Sequence, residues 1–274
     1  MICAWDDLLG ILPQWLKEHT DRQGKGTMTD IRLRINAPPE LVFPDCSLWL
    51  ERDVRKEDIQ FCINAASRYS PWAASTLAQG YITAPGGHRI GICGEAISQN
   101  GQVTGIREAN SLCIRIARDF PGIADKIKQG KNILILGAPG WGKTTLLRDL
   151  IRKKSDKQTV SVADERGELF PPAFLRGKRM DVLTGAPKTH SIEQLIRTMG
   201  PEYLAVDEIT AEKDCIALYH AACCGVKLMA TAHAAGLEDF YARAIYKPLH
   251  KMQLFDTLIV LRPDRTFRIE RVDK

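Results

Sequence analysis

The stretch Asn132–Leu150, NILILGAPGWGKTTLLRDL, decides the fold. Ile133 to Leu136 form a short, continuous apolar run that reads as a buried strand. The chain then turns through a Gly- and Pro-rich segment into Lys143-Thr144-Thr145 and an apolar-periodic helix. A strand, a G-x-x-x-x-G-K-T turn and a helix make a phosphate-binding loop in its required setting. The glycines let backbone N–H groups converge on an anion, and the helix start adds the positive end of its dipole. The cradle is Gly137, Ala138, Pro139, Gly140, Trp141, Gly142, Lys143, Thr144 and Thr145. Lys143 is placed to reach the terminal phosphates, and Thr144 to offer its hydroxyl to Mg²⁺. The Trp141 ring is left with two places to go, over the nucleotide or onto the first domain.

Downstream, apolar strands alternate with helical patterns. Strands are expected at Thr159–Ala163, Met180–Leu183, Tyr203–Val206 and Val226–Thr231, and helices at Ser191–Met199, Ala211–Cys224 and Leu237–Ile245. Thr257–Leu261 and Thr266–Val272 suit a closing hairpin about Pro263-Asp264. This order predicts a parallel-rich, helix-covered sheet with the phosphate loop at the carboxyl end of its first strand.

Upstream the pattern differs. Trp5 to about His19 has a helix-period apolar stripe interrupted by Pro13, which predicts a kinked helix or two pieces. Ile31, Leu33 and Ile35 alternate with Arg32 and Arg34, as in a strand with one wet face. Short strands are expected around Leu41–Phe43 and Leu48–Leu50, and a helix near Glu57–Ala65. Two hairpin reversals fall at Gly86-Gly87 and Asn100-Gly101, and Leu112 to Ile116 alternates again. The fold class is therefore α/β, with a smaller α+β domain, 1–121, preceding a P-loop domain, 122–274.

The chain has 274 residues, a net charge of +5 and 45% hydrophobic residues, which describes a folded globular protein and no disordered class. Its eight cysteines show no zinc spacing and read as buried thiols of a reducing compartment. The amino terminus carries Asp6 and Asp7 where a signal peptide would carry positive charge, and no apolar run approaches about 18 residues. A cytoplasmic protein that meets a membrane only through partners is expected.

The remaining chemistry sits at strand ends. Leu204-Ala205-Val206 deliver Asp207 and Glu208, placed to hold Mg²⁺ and to orient or deprotonate an attacking water. Asp164-Glu165 follow SVA and open onto the same rim, with Glu165 as a second water-positioning or supporting residue. KLMATAH brings Thr231 and His233, an imidazole able to touch phosphate or carboxylate. An added arginine is needed for the developing charge, and Arg166, Arg197, Arg107 and Arg115 all qualify.

The segments GYITAPGGHRIGICGEA, IREANSLCIRIA, GAPGWGKTTLLRDL, VADERGEL, IRTMGPEYLAVDEI and GVKLMATAHA resemble the stage III sporulation protein AA family, a branch of the type II and type IV secretion ATPases. The resemblance spans about Ile31 to His233. It implies a RecA-like P-loop ATPase domain that binds ATP and Mg²⁺, with Glu208 as catalytic acid. Lys143, Glu165 and His233 would share in catalysis, and Thr144, Asp207 and Asp164 would serve the metal. It also implies arginines brought from the amino-terminal side, which favours Arg107 and Arg115 over Arg166 and Arg197. A homo-oligomeric, hexameric ring is implied, together with small membrane proteins of a sporulation channel at the mother-cell face. No four-cysteine zinc segment is present, and Asp207 stands where many relatives have Gly, which favours the sporulation branch. Two rival readings remain: a RecA-like ATPase acting on nucleic acid, and a nucleotide-gated assembly factor with little hydrolysis. No basic groove interleaved with aromatics is visible, so no nucleic acid is expected.

Overall fold

The computed structural model describes residues 1–68, 80–99, 101–127, 130–171 and 173–272. Two compact units are present. The first is Met1–Asp119 with a short piece that ends at Phe174, and the second is Phe120–Pro171 with Leu175–Lys274.

In the first unit a six-stranded sheet has the order β3-β2-β1-β6-β5-β4. Its strands are β1 (Asp30–Arg34), β2 (Glu40–Val42), β3 (Ser47–Trp49), β4 (Tyr81–Thr83), β5 (Arg89–Gln99) and β6 (Gln102–Arg115). Neighbouring strands are antiparallel throughout. Ile31 and Leu33 are buried while Arg32 stays wet, as alternation requires. The core is completed by α1 (Trp5–Gly10), α2 (Gln14–Gln23) and α3 (Lys56–Ser67). Pro13 divides the first stripe into two helices because it has no N–H to continue the ladder. The run Leu112–Ile116 is not a separate strand: β6 is continuous over fourteen residues. Gly101, with φ 77°, marks the reversal before it, whereas Asn100 lies outside the described residues.

The second unit holds a seven-stranded sheet of order β13-β12-β7-β11-β10-β8-β9. Its strands are β7 (Ile133–Gly137), β8 (Val160–Asp164), β9 (Met180–Thr184), β10 (Tyr203–Ile209), β11 (Lys227–His233), β12 (Thr257–Leu261) and β13 (Phe267–Arg271). All neighbours are parallel except the terminal β12–β13 hairpin. Every residue of β7, β8 and β12 is buried, which explains their continuous apolar sequences. Alternate residues still sort to opposite faces. Leu134, Leu136, Leu204 and Val206 pack with α5 (Lys188–Met199) and α6 (Glu212–Cys223), whereas Ile133, Ile135, Tyr203 and Ala205 pack with α4 (Lys143–Ser155).

Two expectations are corrected. The helix expected at Leu237–Ile245 stops at Ala242 as α7 (Leu237–Ala242), because Arg243 adopts an extended conformation; a 3-10 turn and α8 (Lys247–Lys251) follow. The cysteines are not uniformly buried either. Cys62 and Cys215 are, but Cys46, Cys93, Cys223 and Cys224 are exposed. Cys93 lies in β5, and Cys223-Cys224 end α6. Among the described residues no helix is long and apolar enough to cross a membrane.

Gly177 fixes the carboxyl end of α4 in place. A Cβ there would lie 1.7 Å from the Ser155 hydroxyl and 2.9 Å from the Arg152 carbonyl. Gly177→Ala should lower the unfolding free energy by about 1–3 kcal/mol, read by urea denaturation.

Candidate functional site

The carboxyl ends of four adjacent strands, β7, β11, β10 and β8, form one rim. They carry Gly137, His233, Asp207-Glu208 and Asp164-Glu165 respectively, and His233 pairs with Gly137 in register. After β7 the loop turns with Gly140 at φ 79° and Gly142 at φ 95°, values that favour glycine, and Gly142 caps α4. Ala138 is half-buried, while Pro139 and Gly140 are exposed. The Trp141 ring is partly buried against the core of the second unit. Thr145 is half-buried in the first turn of α4.

Lys143 is buried and donates to the Ala138 carbonyl (3.1 Å) and to His233 Nδ1 (3.2 Å). On its other side His233 Nε2 meets Glu208 Oε1 at 2.6 Å. This chain makes Nδ1 the acceptor and Nε2 the donor of a neutral imidazole. Burial, and then the Lys143 ammonium, push the His233 pKa down, opposed by Glu208. The backbone of His233 is held by the phenol of Tyr246, which accepts its N–H (3.0 Å) and donates to its C=O (3.3 Å).

Two carboxylates in succession on a strand should point to opposite faces. Here the β10–β11 register slips between Val206 and Glu208, so Asp207 is a bulge residue without a partner in β11. The slip is visible in the packing as well. Ile209 joins the cluster of Leu204 and Val206, the opposite parity from an unbroken strand. As a result Asp207 and Glu208 line one cavity of about 70 Å³ with Thr144, Glu165, Arg166 and Lys188. That volume accommodates several waters or a partly hydrated cation. The carbonyls at the bulge have their own partners: the Thr231 hydroxyl donates to Asp207 O (2.5 Å), and the Lys188 ammonium donates to Glu208 O.

Thr144 Oγ1 donates to Asp207 Oδ1 at 3.0 Å, bringing together a hydroxyl and a carboxylate suited to one divalent cation. Asp164 is placed differently from the metal-holding position expected of it. It is fully buried, and its two oxygens accept the N–H groups of Glu168 (2.9 Å), Leu169 (3.0 Å) and Phe170 (3.2 Å). That geometry organises the loop after β8. Burial raises the Asp164 pKa against these hydrogen bonds. Glu165 pairs with Lys188 at 3.8 Å.

Arg107 and Arg115 both lie on β6 in the first unit, paired with Glu95 and with Asp30 (3.7 Å) respectively. Arg166 lines the cavity, and Arg197 is exposed on α5. Lys188 and Tyr246 escaped the sequence reading. The one sign of Lys188 was a cation at the first position of a helix, where the dipole disfavours it.

Burial pushes the Asp207 carboxyl up to about 6; Asp164 and Glu208 add to the rise, and the Thr144 hydrogen bond opposes it. The folded protein therefore keeps a proton that the unfolded chain sheds from about pH 4 upward, so this group's contribution turns unfavourable as pH rises to about 6 and stays so above. Asp207→Asn should stabilise the protein without nucleotide by about 1–3 kcal/mol at pH 7.5, with the gain shrinking towards pH 4. Urea unfolding across that range measures it.

Residues 10–269 match the family described as sporulation stage III, protein AA. The chain is 34% identical over 277 residues to stage III sporulation protein AA of Bacillus subtilis (strain 168), covering 93% of this chain and 90% of that protein. The ATPase DotB of Legionella pneumophila superposes with a TM-score of 0.60 at 19% identity, over 93% of this chain and 78% of that one. The pilus retraction motor PilT, solved with bound ADP, gives 0.59 at 14% identity, over 96% and 78%. At such identities these two structures speak for the fold alone, a RecA-like P-loop fold. On the family match and the extent of the Bacillus relationship, the chain belongs to the sporulation stage III protein AA family.

Proposed function

We propose that this protein is a Mg²⁺-dependent ATPase that energises the assembly of, or transport through, a membrane channel of sporulation. The observation that carries this reading is the shared cavity of Asp207, Glu208 and Thr144 beside a glycine-rich loop and Lys143. Loop N–H groups and the start of α4 bind the phosphates, and Lys143 exchanges the Ala138 carbonyl for a phosphate oxygen. Thr144 and Asp207 would hold Mg²⁺, which would supply positive charge to neutralise the phosphates. Glu208 takes the proton of the attacking water, and His233 steadies that carboxylate through Nε2. Glu165, across the cavity, orients the same water. Arg107 and Arg115 supply the further positive charge as subunits assemble in a homo-oligomeric ring.

The cellular part of the proposal rests on family membership and on the name of the Bacillus relative. In it the protein works at the mother-cell face of the membrane, reaching it through small membrane proteins of the channel complex and acting on no nucleic acid.

Glu208→Gln should lower ATP turnover about 100-fold or more while nucleotide affinity stays within a few-fold. Unchanged turnover would favour a nucleotide-gated assembly factor, and strong stimulation by single-stranded DNA would favour a nucleic-acid motor. Mass photometry should show ring-sized particles with Mg-ATP; a strict monomer with and without it would remove the ring from the proposal.

A further inference from the structure

Lys188 is only 7% exposed and opens α5, where the helix dipole opposes a cation. Lysine is rarely buried without partners, and a local rule broken this way usually marks a site with another demand. The partners come from three separate segments. The ammonium donates to the Glu208 carbonyl at the carboxyl end of the bulge, meets Asp214 Oδ2 at 3.2 Å at the start of α6, and faces Glu165 Oε2 at 3.8 Å after β8. Asp214 in turn accepts the N–H groups of Thr210 (2.9 Å) and Ala211 (3.1 Å), the two residues that follow β10. Two of the three ammonium donors are thus met by the Glu208 carbonyl and Asp214, and Glu165 adds an ion-pair contact.

We infer that Lys188 is a positioning residue for hydrolysis, holding the Glu208 carbonyl and the Glu165 carboxylate so that both acidic side chains face one water in the cavity. It rests on the ATPase reading above. Among the described residues the hydrogen-bond and ion-pair partners of the Lys188 ammonium are Glu208, Asp214 and Glu165, none of them in the phosphate loop, so it acts on the chemical step through Glu208 and Glu165 and not through nucleotide binding. Its charge also balances Asp214, and this structural share must be separated in any test.

The test compares steady-state ATPase kinetics, fluorescent-nucleotide affinity and thermal melting for the full chain, Lys188→Met, and Lys188→Met with Asp214→Asn. Asparagine keeps the acceptor that caps α6 and removes the anion left unbalanced by the first change. Both variants should show kcat lowered about 10- to 100-fold, with KM and nucleotide affinity within about three-fold. The double variant should recover melting temperature without recovering kcat. Recovery of kcat together with stability, normal kcat in Lys188→Met, or failure of both variants to fold would assign Lys188 to folding alone and overturn the inference. An unsubstituted protein with no turnover would instead remove the ATPase reading, and this inference with it.

Discussion

The extra residue in β10 is the constraint on which the rest of the site depends. A regular strand presents one side chain to each face in turn, so an Asp-Glu pair at its end would divide its carboxylates between the two sides of the sheet. The register slip at Asp207 removes that division. Bulges leave backbone groups without ladder partners, and such groups are costly when buried. Thr231 from β11 and Lys188 from α5 meet that demand. Neighbouring elements therefore help to hold an irregularity that brings two charges into one cavity.

Burial, modulated by the same concentration of charge, explains the shifted titrations. Asp207 lies between burial and two other carboxylates, and its proton is held to about pH 6. Lys143 has its pKa lowered by burial, with Glu208 and Asp207 opposing. His233 stands between that lysine and Glu208, bonded to both. A neutral imidazole suits this place because one ring nitrogen must accept and the other donate. A positive imidazolium would set two cations 3.2 Å apart.

Much of this was legible in the residues themselves. Strands buried on both faces announce themselves as apolar runs, so ILIL, SVA, YLAV and KLMATA could be laid side by side and their terminal acids and histidine brought to one rim. What could not be read depends on hydrogen bonds between distant segments. The slip at Asp207 exists only in the pairing of β10 with β11, and no residue type in YLAVDEI signals it. The loop-organising task of Asp164 depends on N–H groups four to six residues ahead. Lys188 looks like an ordinary surface lysine until the sheet places Glu165, Glu208 and Asp214 around it. Trp141 was ambiguous because a ring on a phosphate loop can turn outward or inward, and only the neighbouring core decides.

Tyr246 gives the site a mechanical connection. Its hydroxyl grips both backbone groups of His233, while its ring stacks near Phe240, with centroids 5.1 Å apart. Phe240 in turn meets His250 edge-on at 4.4 Å. The irregular stretch from α7 to α8 is thus geared, through one phenol, to the imidazole that separates the lysine from the glutamate. A displacement of that stretch would therefore bear on the backbone of His233, and through it on the imidazole held between Lys143 and Glu208.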